Sequence, residues 1–237
     1  MPKTATELLD ALISELQIAV DNGGGQSANI GLPPPSTQQS NKASKAVKSA
    51  APAAAPASAA PAGLTLNSLD LRVGRIVSVE KHATADKLYC EMIDIGEAEP
   101  RAIASGLVPH YTLEQMQGRR LIVVANLKPR SLVGFQSFGM VLCGAKSQEE
   151  GGETVEFVDP PPEAAIGDRV VIGPPGEVPA ALSPSQVGKQ KAWEGVGADL
   201  RLDAEGCAVW RGQRLYALGQ GEGEPCRAPT LRDCVVR

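Results

Sequence analysis

At 237 residues the chain has room for one or two domains, each with a core of useful size. Hydrophobic residues at 43% fit a globular fold, while aromatics at 3% exclude a broad base-stacking platform. A formal net charge of -4 argues against indiscriminate polyanion binding, which draws its affinity from neutralised phosphates, so any nucleic-acid site must be a local cationic patch.

Residues 4–20 (TATELLDALISELQIAV) space Leu8, Leu9, Leu12, Ile13 and Leu16 for a helix, with Thr4 and Glu7 set for a capping box. A lone helix of this length is marginal in water, so residues 1–21 are expected to dock on a partner, to self-associate or to pack loosely on their own body. Residues 22–63 are low in complexity and rich in Ala, Pro and Ser, and read as a flexible tether. Lys42, Lys45 and Lys48 within it are either solvent decoration or a weak electrostatic arm.

From Leu69 the pattern turns to strands. LDLRVGRIVSVEKH alternates around Leu71, Val73, Val77 and Val79, with Gly74 marking a bulge or a sharp bend. KLYCEMIDIG (87–96) and RAIASGLV (101–108) follow, then a short helical TLEQMQG, then RRLIVVANLK (119–128), the strongest β run in the chain. NLKPRSLVGFQ reads as a loop, and SFGMVLCGA (137–145), ETVEFVDPP and DRVVIGPP as further strands. Six or seven short strands with one small helix after the third match a closed Greek-key barrel. The expected fold is mainly β: an OB-fold barrel over 64–172, a small β-rich C-terminal domain over 173–237 packed on it, and the N-terminal helix on its disordered linker.

Catalytic signatures are missing where they would be easiest to see. There is no P-loop and no nucleophile elbow, and GQGEGEP (219–225) lacks the strand-to-helix setting of a dinucleotide fingerprint. His82 and His110 lie far apart, without a Cys or His at ligand spacing. No catalytic residue, metal or cofactor is expected. Cys90, Cys143, Cys207, Cys226 and Cys234 form no CxxC pair and read as buried small hydrophobes in a reducing compartment. The N-terminus has no signal-peptide pattern and no run reaches the roughly eighteen apolar residues of a membrane span, so the cytoplasm is the expected location and no membrane is expected as a partner.

Arg72, Arg75, Lys81, His82 and Lys87 fall within sixteen residues, and Lys128 and Arg130 lie further on in the loop NLKPRSLVGFQSFGM. Loops and strand edges on one face of an OB barrel form its nucleic-acid groove, so the two clusters could converge there; ordinary exposed charge is the equal alternative. Asn126 and Ser137 offer hydrogen bonds to phosphate or 2′-hydroxyl groups, although singly such residues form turns more often. Met140, in a strand, reads as core.

The order LDLRVGRIVSVEKHATADKLY, IDIGEAEPRAIASGLV and VVANLKPRSLVGFQSFGMVLC resembles the tRNA-binding domain family. The stretch KAWE…DL…CAVWRGQRL…CRAPTL is similar to the C-terminal domain of the branch related to endothelial-monocyte-activating polypeptide II, so the likeness spans about 69–237. The resemblance implies an OB fold that recognises tRNA by shape, and a non-catalytic accessory role that delivers or retains tRNA for aminoacyl-tRNA synthetases in a multi-synthetase complex. It names an aminoacyl-tRNA synthetase as partner, methionyl a candidate, reached through the N-terminal helix, and implies a monomeric body in which the C-terminal domain imitates a second subunit. Carried over by motif, Asn126 and Lys128 in NLKP and Ser137 and Met140 in SFGM are the candidate RNA contacts, with Arg75, Lys81, Lys87 and Arg130 as electrostatic supports. The alternative is a scaffold protein of a synthetase complex with residual RNA binding, which the acidic balance and lysine-poor tether favour. Phe138 stands where relatives usually carry a polar residue, and either stacks on a base or fills a barrel corner, the commoner role for an aromatic. Glu80 beside Lys81 dilutes the patch.

Overall fold

The computed structural model describes residues 63–148, 151–172, 180–218 and 223–237. The helix expected over 4–20, nearly all of the tether over 22–63 and its three lysines lie outside the described residues.

β1 (Leu71–Lys81) is the longest strand and organises the barrel. Its first half lies between β4 (Arg120–Val124) and β10 (Arg169–Ile172), and its second half pairs antiparallel with β2 (Tyr89–Asp94), which pairs with β3 (Arg101–Ser105). The register of β1 on β2 shifts between Ile76 and Ser78, so the bulge sits at Val77 and not at Gly74. One face of β1 carries Leu71 and Val73 into a second core and is in solvent from Arg75 on, while the other face carries Ile76 into the barrel core. Ile76 is buried, whereas Val77, expected to point inward, is exposed. Gly74 has a different purpose: a Cβ there would meet Ile93 Cγ2 at 2.9 Å and Ile95 Cγ2 at 3.1 Å, so its bare backbone lets β2 cross close above the bend.

The short helix α1 (Leu113–Met116) falls where TLEQMQG was expected, capped by Thr112 and Gln115 in a reciprocal box. The apolar run 119–128 ends as a strand at Val124. Its unbroken hydrophobicity has a packing cause. Leu121 and Val123 enter the barrel core with Ile93 and Ile103, while Ile122 and Val124 enter a second core with Leu71, Leu200 and Leu215. A strand buried on both faces shows no polar alternation.

The segment expected as one strand over 137–145 is divided. Arg130–Leu132 (β5) and Phe135–Ser137 (β6) form a two-residue hairpin within the expected loop, followed by β7 (Met140–Val141) and β8 (Cys143–Ser147). Both turn residues, Val133 at φ 50° and Gly134 at φ 88°, are left-handed, as the turn favoured by hairpin twist requires. β9 (Glu153–Phe157) pairs with β8.

Beyond residue 180 come α2 (Pro184–Gln190), capped by Ser183, and α3 (Ala192–Gly197), then β11 (Leu200–Leu202), β12 (Ala208–Trp210), β13 (Gln213–Ala217) and β14 (Cys234–Val236). Their strands join the barrel's hydrogen-bond ladder, β13 pairing with β10 and β14 with β8. The second core therefore draws on both segments, and Trp210 Nε1 donates to the Val196 carbonyl at 2.9 Å to hold α3 over it. All five cysteines are buried and free, and burial pushes the thiols of Cys143 and Cys226 up to about 12, so both are inert at neutral pH. The architecture is a mainly β OB-fold barrel extended by C-terminal strands.

Candidate nucleic-acid interface

The chain from Ala125 to Met140 decides which side chains reach solvent. Asn126 does not. It is 5% exposed, and its Oδ1 accepts from the Asp70 amide at 2.9 Å while its Nδ2 donates to the carbonyls of Ser68 (3.2 Å) and Leu182 (2.9 Å). Ser137 is also inward, accepting from the Ala104 amide and donating to the Gly139 carbonyl, each at 3.1 Å. These two expected RNA contacts are corrected to internal braces, because their hydrogen-bonding groups are spent on backbone that would otherwise be left unpaired in the interior. Met140 is half-buried and packs on the second core, with one side open to the cleft described next.

With Asn126 and Ser137 turned in, Lys128 and Arg130 project from the intervening loop and are exposed. They line a cleft of about 320 Å³ between the β5–β6 hairpin and the C-terminal helices, whose far wall includes Gly188, Trp193 and Glu194. A Cβ at Gly188 would meet Lys128 Cε at 2.8 Å and Cδ at 3.0 Å, so the absent side chain leaves a seat for the lysine stem against α2. Glu194 on the same wall moderates the positive field. Four residues expected from the sequence meet here: Lys128 and Arg130 as charge, Met140 as apolar wall, Ser137 as support.

The other cations are placed elsewhere. Arg75 is exposed on β1 opposite Asp94 and Arg120, and Lys81 and Lys87 are exposed around the β1–β2 turn; none of the three lines the cleft. A hollow of about 120 Å³ lined by Glu80 of β1 and Phe135 of β6 shows the two hairpins to be neighbours, with none of Arg75, Lys81 and Lys87 in its lining. The two clusters expected to converge share no cleft.

Several residues went unforeseen. Arg101 ties the loop in place: its guanidinium pairs with Glu97 (Nε to Oε2, 2.7 Å) and donates to the carbonyls of Ala125 and Phe138. The hydrogen bonds from Arg101 hold the Glu97 carboxyl below its ordinary range. Phe138, by contrast, had two roles open to it from the sequence, and at 42% exposure it does not take that of filling a barrel corner. Trp193, Glu194 and Gly188 come from a segment far along the chain, and no local signal links them to the loop.

A basic loop held on the rim of an OB barrel, with a cleft beside it, is the arrangement by which barrels of this kind hold nucleic acid. Residues 71–169 match the model of a putative tRNA binding domain. The aminoacyl tRNA synthase complex-interacting multifunctional protein 1 of Cricetulus griseus is 40% identical over 194 residues, covering 81% of this chain and 49% of that protein. The cytoplasmic methionine–tRNA ligase of Caenorhabditis elegans is 42% identical over 182 residues, 76% of this chain but 18% of the ligase. The crystal structure of the C-terminal domain of Plasmodium vivax p43 superposes with a TM-score of 0.63 at 29% identity, covering 73% of this chain and 98% of that one. Residues 71–169 are a domain of the tRNA-binding family, and the likeness to the multifunctional protein 1 extends beyond that domain over most of the chain. The chain spans about half the length of the multifunctional proteins it matches.

Proposed function

We propose that this chain is a non-catalytic, structure-specific tRNA-binding accessory factor that delivers or retains tRNA for aminoacyl-tRNA synthetases. The observation that carries the reading is the exposure of Lys128 and Arg130 on a loop fixed at both ends by buried hydrogen bonds, a preorganised cationic rim on an otherwise acidic molecule. Rigid placement suits positioning contacts to phosphates, which orient a folded RNA without reading its sequence. Residues 64–172 are the proposed RNA-binding unit, with 173–237 buttressing the loop and keeping the body monomeric. The matching relatives support a synthetase as partner, one named for its interaction with the synthase complex and others being cytoplasmic methionine and tyrosine ligases. Within this reading residues 1–21 make that contact, methionyl-tRNA synthetase is a candidate partner, and the location is cytoplasmic.

The test titrates folded tRNA against a single-stranded RNA of equal length at two salt concentrations. The folded RNA is expected to bind more tightly. The Lys128→Ala/Arg130→Ala double variant should weaken that binding, lower the salt slope by about 1 for each phosphate no longer gripped, and melt like the unmodified protein. Equal affinity for the two RNAs, or a double variant that binds as before, refutes the reading.

A further inference from the structure

Next to the cationic loop lies a larger cleft, about 630 Å³, lined by Met92, Leu127 and Phe138 and, along the stretch from residue 97 to 102, by the charged side chains of Glu97, Glu99 and Arg101. It shares Leu127 with the cleft under Lys128 and Arg130, so the two run side by side along one loop. Phe138 is its aromatic wall. Large apolar side chains are scarce on the described surface, and an exposed phenylalanine forfeits the burial that ordinarily stabilises the fold.

The backbone that carries this ring is fixed. The Phe138 amide donates to the Ala102 carbonyl at 2.9 Å, its carbonyl accepts from Arg101 Nη1 at 3.1 Å, and the next residue's carbonyl accepts from Ser137 Oγ. Three hydrogen bonds therefore hold in place a residue whose side chain packs into neither core. A ring presented from rigid backbone, with Lys128 and Arg130 a few residues away along the adjoining loop, has the composition of a stacking platform: an apolar face for a base and cations for the phosphates on either side of it. Pro100 and Pro129 in the lining carry no amide donor, the Glu97 carboxylate is paired with Arg101, and Glu99 adds an acceptor suited to the amino group of a base rather than to phosphate.

We propose that this cleft is a stacking subsite for one unpaired nucleobase of the bound RNA, with Phe138 as its platform. The subsite deepens the RNA-binding reading and rests on it. A phosphate-gripping rim holds any duplex of suitable shape, whereas a stacking pocket selects RNAs that expose an extrahelical base at a set distance from the gripped phosphates. Stacking involves no counterion release, so it adds affinity that salt does not remove.

The experiment measures binding of folded tRNA to the full chain and to Phe138→Ala, Phe138→Leu and Phe138→Trp, each at low and moderate salt, with Lys128→Ala/Arg130→Ala alongside. Phe138→Ala should lose roughly 5- to 100-fold in affinity with an unchanged salt slope, and Phe138→Trp should retain or exceed the original affinity. Phe138→Leu separates stacking from apolar area, and should fall with the alanine variant. Since the ring is exposed, all three variants should melt close to the parent. If Phe138→Ala binds tRNA as the parent does while the lysine–arginine double variant is weakened, the subsite is wrong and the RNA-binding reading stands. If neither is weakened, both fail. If tRNA affinity is unchanged but Phe138→Ala loses a synthetase that co-purifies with the parent, the cleft is a protein-docking site and the subsite is again wrong.

Discussion

Replacing Glu91 by glutamine should remove the loss of stability that its burial causes as pH rises from about 4.5 to 7. Glu91 lies in β2 inside the barrel with no solvent exposure; its Oε1 accepts the Ser105 hydroxyl and its Oε2 has no partner. Burial is the larger influence and raises its pKa from an ordinary 4.5 to about 7, against the lowering effect of the Ser105 hydrogen bond. The folded state thus favours the protonated carboxyl. Below pH 4.5 the group is protonated folded or unfolded and costs nothing. Between about 4.5 and 7 the unfolded chain releases the proton first, and stability falls as pH rises. Above about 7 the full penalty is present, on the order of 3 kcal/mol at 1.36 kcal/mol per pH unit. Glutamine keeps an acceptor for Ser105 and never ionises. Urea unfolding of both proteins at pH 5, 6, 7 and 8 should give curves that separate steadily, the variant being the more stable at pH 8 by up to about 3 kcal/mol. If the two proteins keep a constant difference across that range, Glu91 does not titrate with folding and the argument is wrong.

Two further expectations test the supports of the loop. Asn126→Ala leaves the Asp70 amide and the carbonyls of Ser68 and Leu182 without their partner, and should destabilise by about 2–4 kcal/mol in chemical unfolding; a loss under about 0.5 kcal/mol, the range of ordinary surface changes, would make Asn126 a candidate RNA ligand again. Val133→Asn should raise the melting temperature by a few degrees, because Val133 holds a left-handed conformation that costs a β-branched residue about 1 kcal/mol or more and that asparagine tolerates, and a side chain 62% exposed gives up little packing when replaced. A lower melting temperature would show that the turn geometry is misread.

What could be read from the chain alone follows from local physics. The strands β1 to β4 and the helix between β3 and β4 announce themselves through alternation, a capping box and punctuation by glycine and proline. The motif order is specific enough to identify the family. The departures have physical causes as well. β1 starts buried on both faces, so Ile76 enters the barrel core, while Val77, at the bulge and on the face that has left the second core, meets solvent where simple alternation puts it inside. The hairpin at 130–137 hides in the sequence because its turn is Val133-Gly134, which lacks the Asn-Gly or Asp-Gly signal of such turns.

For the candidate site the division is sharper. Sequence is sufficient to choose the loop 126–140 and its two cations, since residue type and order are local properties. Whether a polar side chain faces water or the interior depends on which distant backbone groups need a partner, and Asn126 and Ser137 are claimed by Ser68, Leu182, Ala104 and Gly139. The seat of Lys128 on Gly188, the wall formed by Trp193 and the exposure of Phe138 likewise exist only once segments far apart in the chain are packed together, because burial is a property of neighbours that no single stretch of sequence carries.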